Sequence, residues 1–474
     1  MRTRLRREYR VVLLVLIFSL VRGVVYAAII PPWQAPDEPR HFEHVRLVYE
    51  KGRAVSGADL SLPVQQEIIS SMDRFNYWPL GHLIHPRFEP GALPESFDDI
   101  WFPGQYDPNR PNMAHQVHQP PLYYLLVGLS MRVLGIHDVT MQLYAGRLMS
   151  VIFATFVVFI SYLTVRELFP QTYDLQIAVP TFIVLLPMHT FVTSAVMNDV
   201  LAELLVSILI YLLTVMLVKG LTVSRVGLVL VTLLLGQFTK RTFLIAFPLT
   251  LLAATLLGAI RFTKRETWVR IGAATAILIP VFGGLAWWRR PIIASWWEQL
   301  ASPYLGDLSL ASVIEEFLAH MDRYLWPFFK SFWGWFGWLK VELNPAWYMV
   351  FLLLCVAAGL GAIQFLWRGL SGSGDLRPRQ SAVLLFYGIA VISVTLANII
   401  TAILGNLGTI WVVFLPQGRY LFPLIIPIAI LFMLGLREWV PLRHLWSWLV
   451  ASLVFFLFFD TVALIGYMIP YFYG

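Results

Sequence analysis

The apolar segment VVLLVLIFSLVRGVVYAAII, Val11–Ile30, runs without a break into PPWQAPDEPRHFEH, Pro31–His44. About 20 mostly apolar residues suffice to cross the hydrocarbon core of a bilayer. The Pro-rich stretch therefore stands where the first span leaves the membrane, and it sets two adjacent carboxylates, Asp37 and Glu38, at a membrane face. Titratable groups at such a low-dielectric boundary are open to pKa tuning for acid or base work. A structural reading is just as direct. Asp37 or Glu38 is an acceptor suited to cap a helix that Pro39 begins. The two readings are compatible, because a cap holds a carboxylate still.

Working outward, the whole chain shares the character of that first segment. Of its 474 residues 58% are hydrophobic and 13% charged, and the mean hydropathy is +0.69. These values predict an all-α polytopic integral membrane protein surrounded by membrane lipids. The net charge of +7 is spread over many short connections. That is the pattern of positive-inside topology, so no nucleic-acid partner is expected. Cys355 is the single cysteine, which excludes an intramolecular disulfide and a cysteine-based metal site. Met1–Arg10 is basic and no small-residue cleavage site follows. The first span is expected to be retained, with its N-terminus in the cytoplasm.

Hydropathy marks about eleven spans: Val11–Ile30, Arg147–Leu168, Leu175–Val196, Val200–Val218, Val223–Phe238, Phe243–Ile260, Trp268–Trp287, Ala346–Trp367, Ala382–Leu404, Leu421–Leu436 and Leu445–Ile469. The piece Pro120–Leu134 is expected to lie in or partly enter the outer leaflet, since counting it as a span puts most connecting cations on the wrong side. Two large extracytoplasmic loops carrying amphipathic helices follow. The expected organisation is a catalytic membrane module over 1–290, which includes the first loop over 31–146, then an aromatic-rich loop over 291–345 and C-terminal helices over 346–474. The second loop holds Trp296, Trp297, Trp326, Trp333, Trp335 and Trp338. These suit an interfacial belt, while Ser331–Trp338 also suits a stacking platform for a sugar or a wall for an isoprenoid chain.

The same topology gathers Asn198, Asp199, Lys240, Arg241, Arg419 and Tyr420 on the external face. Lys240, Arg241 and Arg419 suit a phosphate, although each alone also reads as a snorkelling cation at a span end. Three His-x-x-His pairs, His41/His44, His82/His85 and His115/His118, are weak metal signals at that spacing. His41, one helical turn beyond Asp37, is placed to orient that carboxylate or to join it around a divalent cation. Polar groups inside the spans, Arg22 and Asp460 above all, are the features a transporter would use.

Pro36-Asp37-Glu38-Pro39-Arg40-His41-Phe42 resembles the Asp-Glu first-loop motif of GT-C fold glycosyltransferases, including that of protein O-mannosyltransferases. His118-Gln119-Pro120-Pro121-Leu122-Tyr123-Tyr124 resembles the His-Pro-Pro-Leu-Tyr element of bacterial lipid A aminoarabinose transferases. The chain is most similar to a bacterial membrane family with a Pro-Asp-Glu-x-x-His-Phe start, a Gly-Trp-rich loop and a Gln-Gly-Arg-Tyr-Leu-x-Pro end. The resemblance implies a GT-C-A-like fold in a bacterial cytoplasmic membrane with an extracytoplasmic active site. It also implies transfer of a sugar from a polyprenyl-monophosphate donor to a hydroxyl of a glycan, lipid or protein acceptor.

On that expectation Asp37 is the general base, and Glu38, the second catalytic carboxylate, positions the acceptor or the base together with His41. His41, His118, Gln119, Asn198, Asp199, Tyr420 and Trp335 line the site, and Lys240, Arg241 and Arg419 meet the leaving phosphate. A single displacement inverts the anomeric centre and has no strict need of a cofactor, with a divalent cation an option near Asp37 and His41. The rival readings are a flippase of lipid-linked saccharides, and a polysaccharide polymerase or ligase that uses a diphosphate-linked donor.

Overall fold

Among the described residues eight helices are long and apolar enough to cross a membrane: Arg10–Ile29, Val139–Leu168, Asp199–Lys219, Arg241–Gly258, Pro345–Gly369, Pro378–Leu407, Gly418–Glu438 and Leu442–Tyr473. The computed structural model describes residues 2–78, 93–101, 115–261, 310–371, 377–408 and 415–474. A ninth crossing forms if Tyr173–Val184 and Pro187–Thr193, bent by 58° at their junction, make one broken span. Pro187 supplies the break: it has no N–H to donate, and it pushes Leu186 into the extended conformation. The expected span Val223–Phe238 is a helix of 15 residues, Val223–Gln237. The expected span Trp268–Trp287 lies outside the described residues, as do His82, His85, Trp296 and Trp297.

In chain order the helices are α1 (Arg2–Ile29), α2 (Glu38–Lys51), α3 (Leu62–Arg74), α4 (Phe97–Trp101), α5 (Leu122–Val133), α6 (Val139–Leu168), α7 (Tyr173–Val184), α8 (Pro187–Thr193) and α9 (Asp199–Lys219). They continue as α10 (Val223–Gln237), α11 (Ala246–Arg261), α12 (Leu310–Ala319), α13 (Met321–Trp333), α14 (Pro345–Leu370), α15 (Pro378–Gly408), α16 (Ile425–Glu438), α17 (Leu445–Thr461) and α18 (Ile469–Tyr473). Helix α9 packs along α6, and α14 along α16. The second pair touches backbone to backbone: a Cβ on Gly435 would collide with the Ala358 carbonyl. Small residues at such crossings give membrane helices their close van der Waals contact.

The first loop builds a small layer from α2, α3 and α5. Helix α5 is twelve residues long, too short to span, and it buries Tyr123, Tyr124, Val127 and Met131. Gly128 lets α5 lie against α2, because a Cβ there would sit 2.8 Å from the Val45 carbonyl oxygen.

The second loop ends in α13 and a two-residue hairpin, β1 (Trp335–Phe336) with β2 (Val341–Glu342), paired antiparallel. The aromatic run is not one belt. Trp333 is 2% exposed, and its ring stacks on Phe351 at 4.0 Å, so it is core, while Trp326 is 38% exposed. Seven residues apart, the two rings share one face of α13, Trp326 edge-on to Tyr348 and Trp333 on Phe351, so their burial differs along the helix and not around it.

Candidate functional site

Asp37 occupies the N-cap of α2 with φ 58° and ψ 6°, in the left-handed region, and its side chain makes no cap bond. Aspartate is among the few non-glycine residues that tolerate this region. The conformation turns the carboxylate to the C-terminal third of the chain, where Arg419 Nη2 donates to Asp37 Oδ2 at 3.2 Å. Arg40 Nη1 stands 4.0 Å from the other oxygen. The Asp37 side chain keeps 30% of its surface, against 14% for Arg419. Burial works against the Asp37 charge, but Arg419, Arg40 and His41 outweigh it and hold the carboxyl below its usual range.

Arg419 arrives through a tight docking. Gly418 N donates to Ser331 Oγ at 2.8 Å. A Cβ at Gly418 would meet the Phe332 backbone nitrogen and come within 2.6 Å of the Phe328 carbonyl oxygen. Only glycine lets the Gln417–Tyr420 segment press against α13 so closely.

Glu38 is turned the other way. It is fully buried, and Arg147 grips it from Nε at 2.8 Å and from Nη2 at 2.5 Å. The backbone N–H groups of Trp33 and Val196 donate to it as well, at 3.2 and 3.1 Å. Arg147 also donates to the carbonyls of Ala27, Ile30 and Pro31. Glu38 thus corrects the expectation of a catalytic acid: its oxygens are taken up in clamping the end of α1 to α2, α6 and the start of α9.

Two further segments complete the cluster. Asn198 Nδ2 donates to the Thr239 carbonyl at 3.0 Å, and Leu122 N donates to the Phe238 carbonyl at 2.8 Å. These bonds tie the starts of α5 and α9 to the turn after α10. Lys240 Nζ consequently donates to Asp199 Oδ1. The Arg241 and Arg419 Nε atoms and Asn198 Oδ1 are buried without a hydrogen-bond partner among the described residues.

His41 packs on the same side, with Nδ1 2.8 Å from the Tyr124 hydroxyl. Burial holds His41 down at about 4, with Asp37 and Asp199 pulling the other way. His118, beside Gln119 at 3.5 Å, is lowered to about 4 by burial and then by Arg241 and Arg40. Tyr420 is 41% exposed, with the Arg419 guanidinium 5.4 Å from its ring centre.

Trp335 stands apart from the cluster. Its ring carries Lys330 at 4.4 Å, and Lys330 pairs with Glu342 at 2.7 Å. The structure therefore gathers Asp37, His41, His118, Asp199, Lys240, Arg241, Arg419 and Tyr420, and leaves Glu38 and Trp335 out.

The divalent-ion option at Asp37 and His41 does not fit this arrangement. Arginines face both Asp37 oxygens, and His41 Nδ1 is engaged by Tyr124. No group of three His, Cys, Asp or Glu side chains among the described residues is placed to hold a metal. Of the expected histidine pairs, His44 Nδ1 is on the Gln116 carbonyl at 3.0 Å and His115 Nδ1 is on Glu43 at 2.6 Å, while His82 and His85 lie outside the described residues.

Residues that the sequence pattern passed over include Arg147, Tyr124 and Arg40. Arg147 had a legible signal, a charge at the head of a predicted span. Tyr124 stands in the His118–Tyr124 element, but nothing in the sequence says which loop histidine its hydroxyl meets.

Comparison with solved structures gives two states of ArnT from Cupriavidus metallidurans, bound to undecaprenyl phosphate and apo. Both are 14% identical with a TM-score of 0.45. The first match covers 94% of this chain and 63% of that one, the second 93% and 62%. The chain thus spans under two thirds of the length of either structure. No curated protein matches. The model of the family described as predicted membrane protein (DUF2142) matches residues 20–428, most of the chain with both the Asp37 loop and the Arg419 segment, and the protein belongs to that family.

Proposed function

We propose that this protein is a GT-C-like membrane glycosyltransferase that moves a sugar from a polyprenyl-monophosphate to an acceptor hydroxyl on the extracytoplasmic side. The observation that carries the reading is the Asp37–Arg419 contact, a carboxylate 3.2 Å from a guanidinium whose Nε is buried without a partner among the described residues. The motif resemblance at Pro36–Phe42 and His118–Tyr124 agrees with it.

The acceptor oxygen attacks the anomeric carbon and its proton passes to Asp37, while the bond from that carbon to the phosphate oxygen breaks and the electron pair leaves with the lipid phosphate. Arg419, Lys240 and Arg241 face the charge that grows on the phosphate. Arg419 and Lys240 rest against Asp37 and Asp199. A phosphate drawn to these cations loosens their hold on Asp37, so its carboxyl rises and becomes a better base as the donor seats. His41, neutral above about pH 4, accepts or donates one hydrogen bond near the base without competing for the proton. With one base and no protein nucleophile, the anomeric configuration inverts.

A conduit for lipid-linked saccharides would use Arg22 and Asp460, but these hold each other. Arg22 Nε donates to Asp460 at 2.7 Å, the Tyr26 hydroxyl donates to it at 2.6 Å, and Arg22 also donates to the Val184 carbonyl at the break of the bent span. The pair reads as a clamp on a broken helix end.

The test is incubation of the purified protein with the same sugar on polyprenyl-monophosphate and on polyprenyl-diphosphate. Turnover of the monophosphate alone, with inversion, supports the reading. Use of the diphosphate, or retention of configuration, defeats it.

A further inference from the structure

At the other end of the same helices lies a cleft of about 1910 Å³. Helix α9 starts at Asp199 in the candidate site and ends at Lys219 in this cleft. At 1.5 Å per residue its 21 residues separate the two by roughly 30 Å, about the thickness of the hydrocarbon core. The cleft therefore opens at the opposite membrane face.

Six cationic side chains line it: Arg166, Lys219, Arg368, Arg377, Arg379 and Arg437. Among the described residues the acids there are Glu167 and Glu438, with Asp174, outside the lining, paired to Arg437. Lys219 pairs with Glu167 at 2.7 Å, and Arg368 with Glu438. Among the described residues this composition leaves three positive charges in excess. Topology and the carbonyl ends of α6, α9, α14 and α16 explain why cations collect at this face. They do not call for a concave site. The walls are apolar as well, with Leu163, Phe169, Tyr211, Phe365 and Leu442 beside the charges. A free anion has no use for such walls, whereas a phospholipid brings a charged headgroup and acyl chains together.

We propose that this cleft binds an anionic diacyl phospholipid from the leaflet opposite the candidate site, its phosphate against Arg377 and Arg379 and its chains along the apolar wall. The cationic excess selects a headgroup with net negative charge, as basic pockets between membrane helices do. The inference does not depend on glycosyl transfer. Arg377 and Arg379 are exposed, and Arg379 gives one bond to the Val218 carbonyl at 2.8 Å, so their removal leaves no acid stranded.

The experiment is native mass spectrometry of the full chain in neutral detergent, with dioleoyl phosphatidylglycerol or dioleoyl phosphatidylcholine added. Wild type should retain the glycerol lipid and not the choline lipid. The double variant Arg377→Gln/Arg379→Gln should lose about tenfold or more in retention, from about fivefold per cation. Equal retention by wild type and variant, or equal retention of the two lipids by wild type, overturns the proposal. Displacement of the lipid by millimolar inorganic phosphate also overturns it, in favour of a free-anion site. If the double variant does not fold, Arg377→Gln alone should lose about fivefold, and retention equal to wild type then overturns the proposal.

Discussion

Glu38 and Arg147 meet in a two-pronged ion pair at 2.8 and 2.5 Å, wholly inside the protein, while Asp37, one residue earlier, faces Arg419 at the edge of the membrane body. Adjacent acids thus serve different ends because the left-handed backbone at Asp37 aims them apart. Glu38→Gln would leave Arg147 buried without its countercharge, a change that costs about 3–5 kcal/mol. Chemical unfolding in detergent should show that loss for Glu38→Gln and a much smaller one for Asp37→Asn. Equal stabilities would contradict the division.

Asp37→Asn should lower turnover by about 10²–10⁴-fold, the range of a lost general base. It also removes the acid that holds Arg419, so donor binding should stay the same or tighten. Isothermal titration with a non-transferable polyprenyl phosphate checks the second half: weaker binding would mean that Asp37 contacts the donor itself.

Arg419→Ala should weaken that binding by about tenfold or more, as expected for a charge-assisted hydrogen bond worth roughly 1.5–3 kcal/mol. Gly418→Ala should do nearly as much with Arg419 intact, since the added methyl strikes the backbone of α13. A Gly418→Ala enzyme with unchanged donor affinity would show that the docking against Ser331 and Phe332 does not position Arg419.

Acid should destabilise the protein in a defined window. His41 and His118 are held at about 4 and His44 at about 3, chiefly by burial, against about 6.5 in an unfolded chain. The unfolded state therefore binds more protons once the pH drops below about 6.5. Stability falls from there down to the folded values. Asp37 acts with the same sign at lower pH: its lowered carboxyl adds stability above its unfolded value near 3.8 and loses it as pH falls through the folded one. Melting curves between pH 8 and 4 should show the histidine-driven decline, and His44→Gln should flatten it. A stability independent of pH across that range would refute the burial of these rings.

The spans were legible because long apolar runs have no other reading, and Asp37 and Arg419 because charges at span ends stand out against such a background. Their convergence was not legible. It depends on the left-handed turn at Asp37 and on Gly418 against α13, which together join residues 382 positions apart. Glu38 was misplaced for the same reason: the partner that buries it, Arg147, reads in sequence as one more cation at a span end. Trp335 was drawn in by its neighbours, yet the Trp–Gly run divides between core and hairpin once α13 ends at Trp333.

The most direct measurement follows release of free polyprenyl phosphate from a sugar-charged polyprenyl-monophosphate by purified wild-type protein and by Asp37→Asn, with acceptor present. The account predicts acceptor-dependent release by the wild type and almost none by the variant, whose donor affinity is intact. Equal release from both proteins would contradict it.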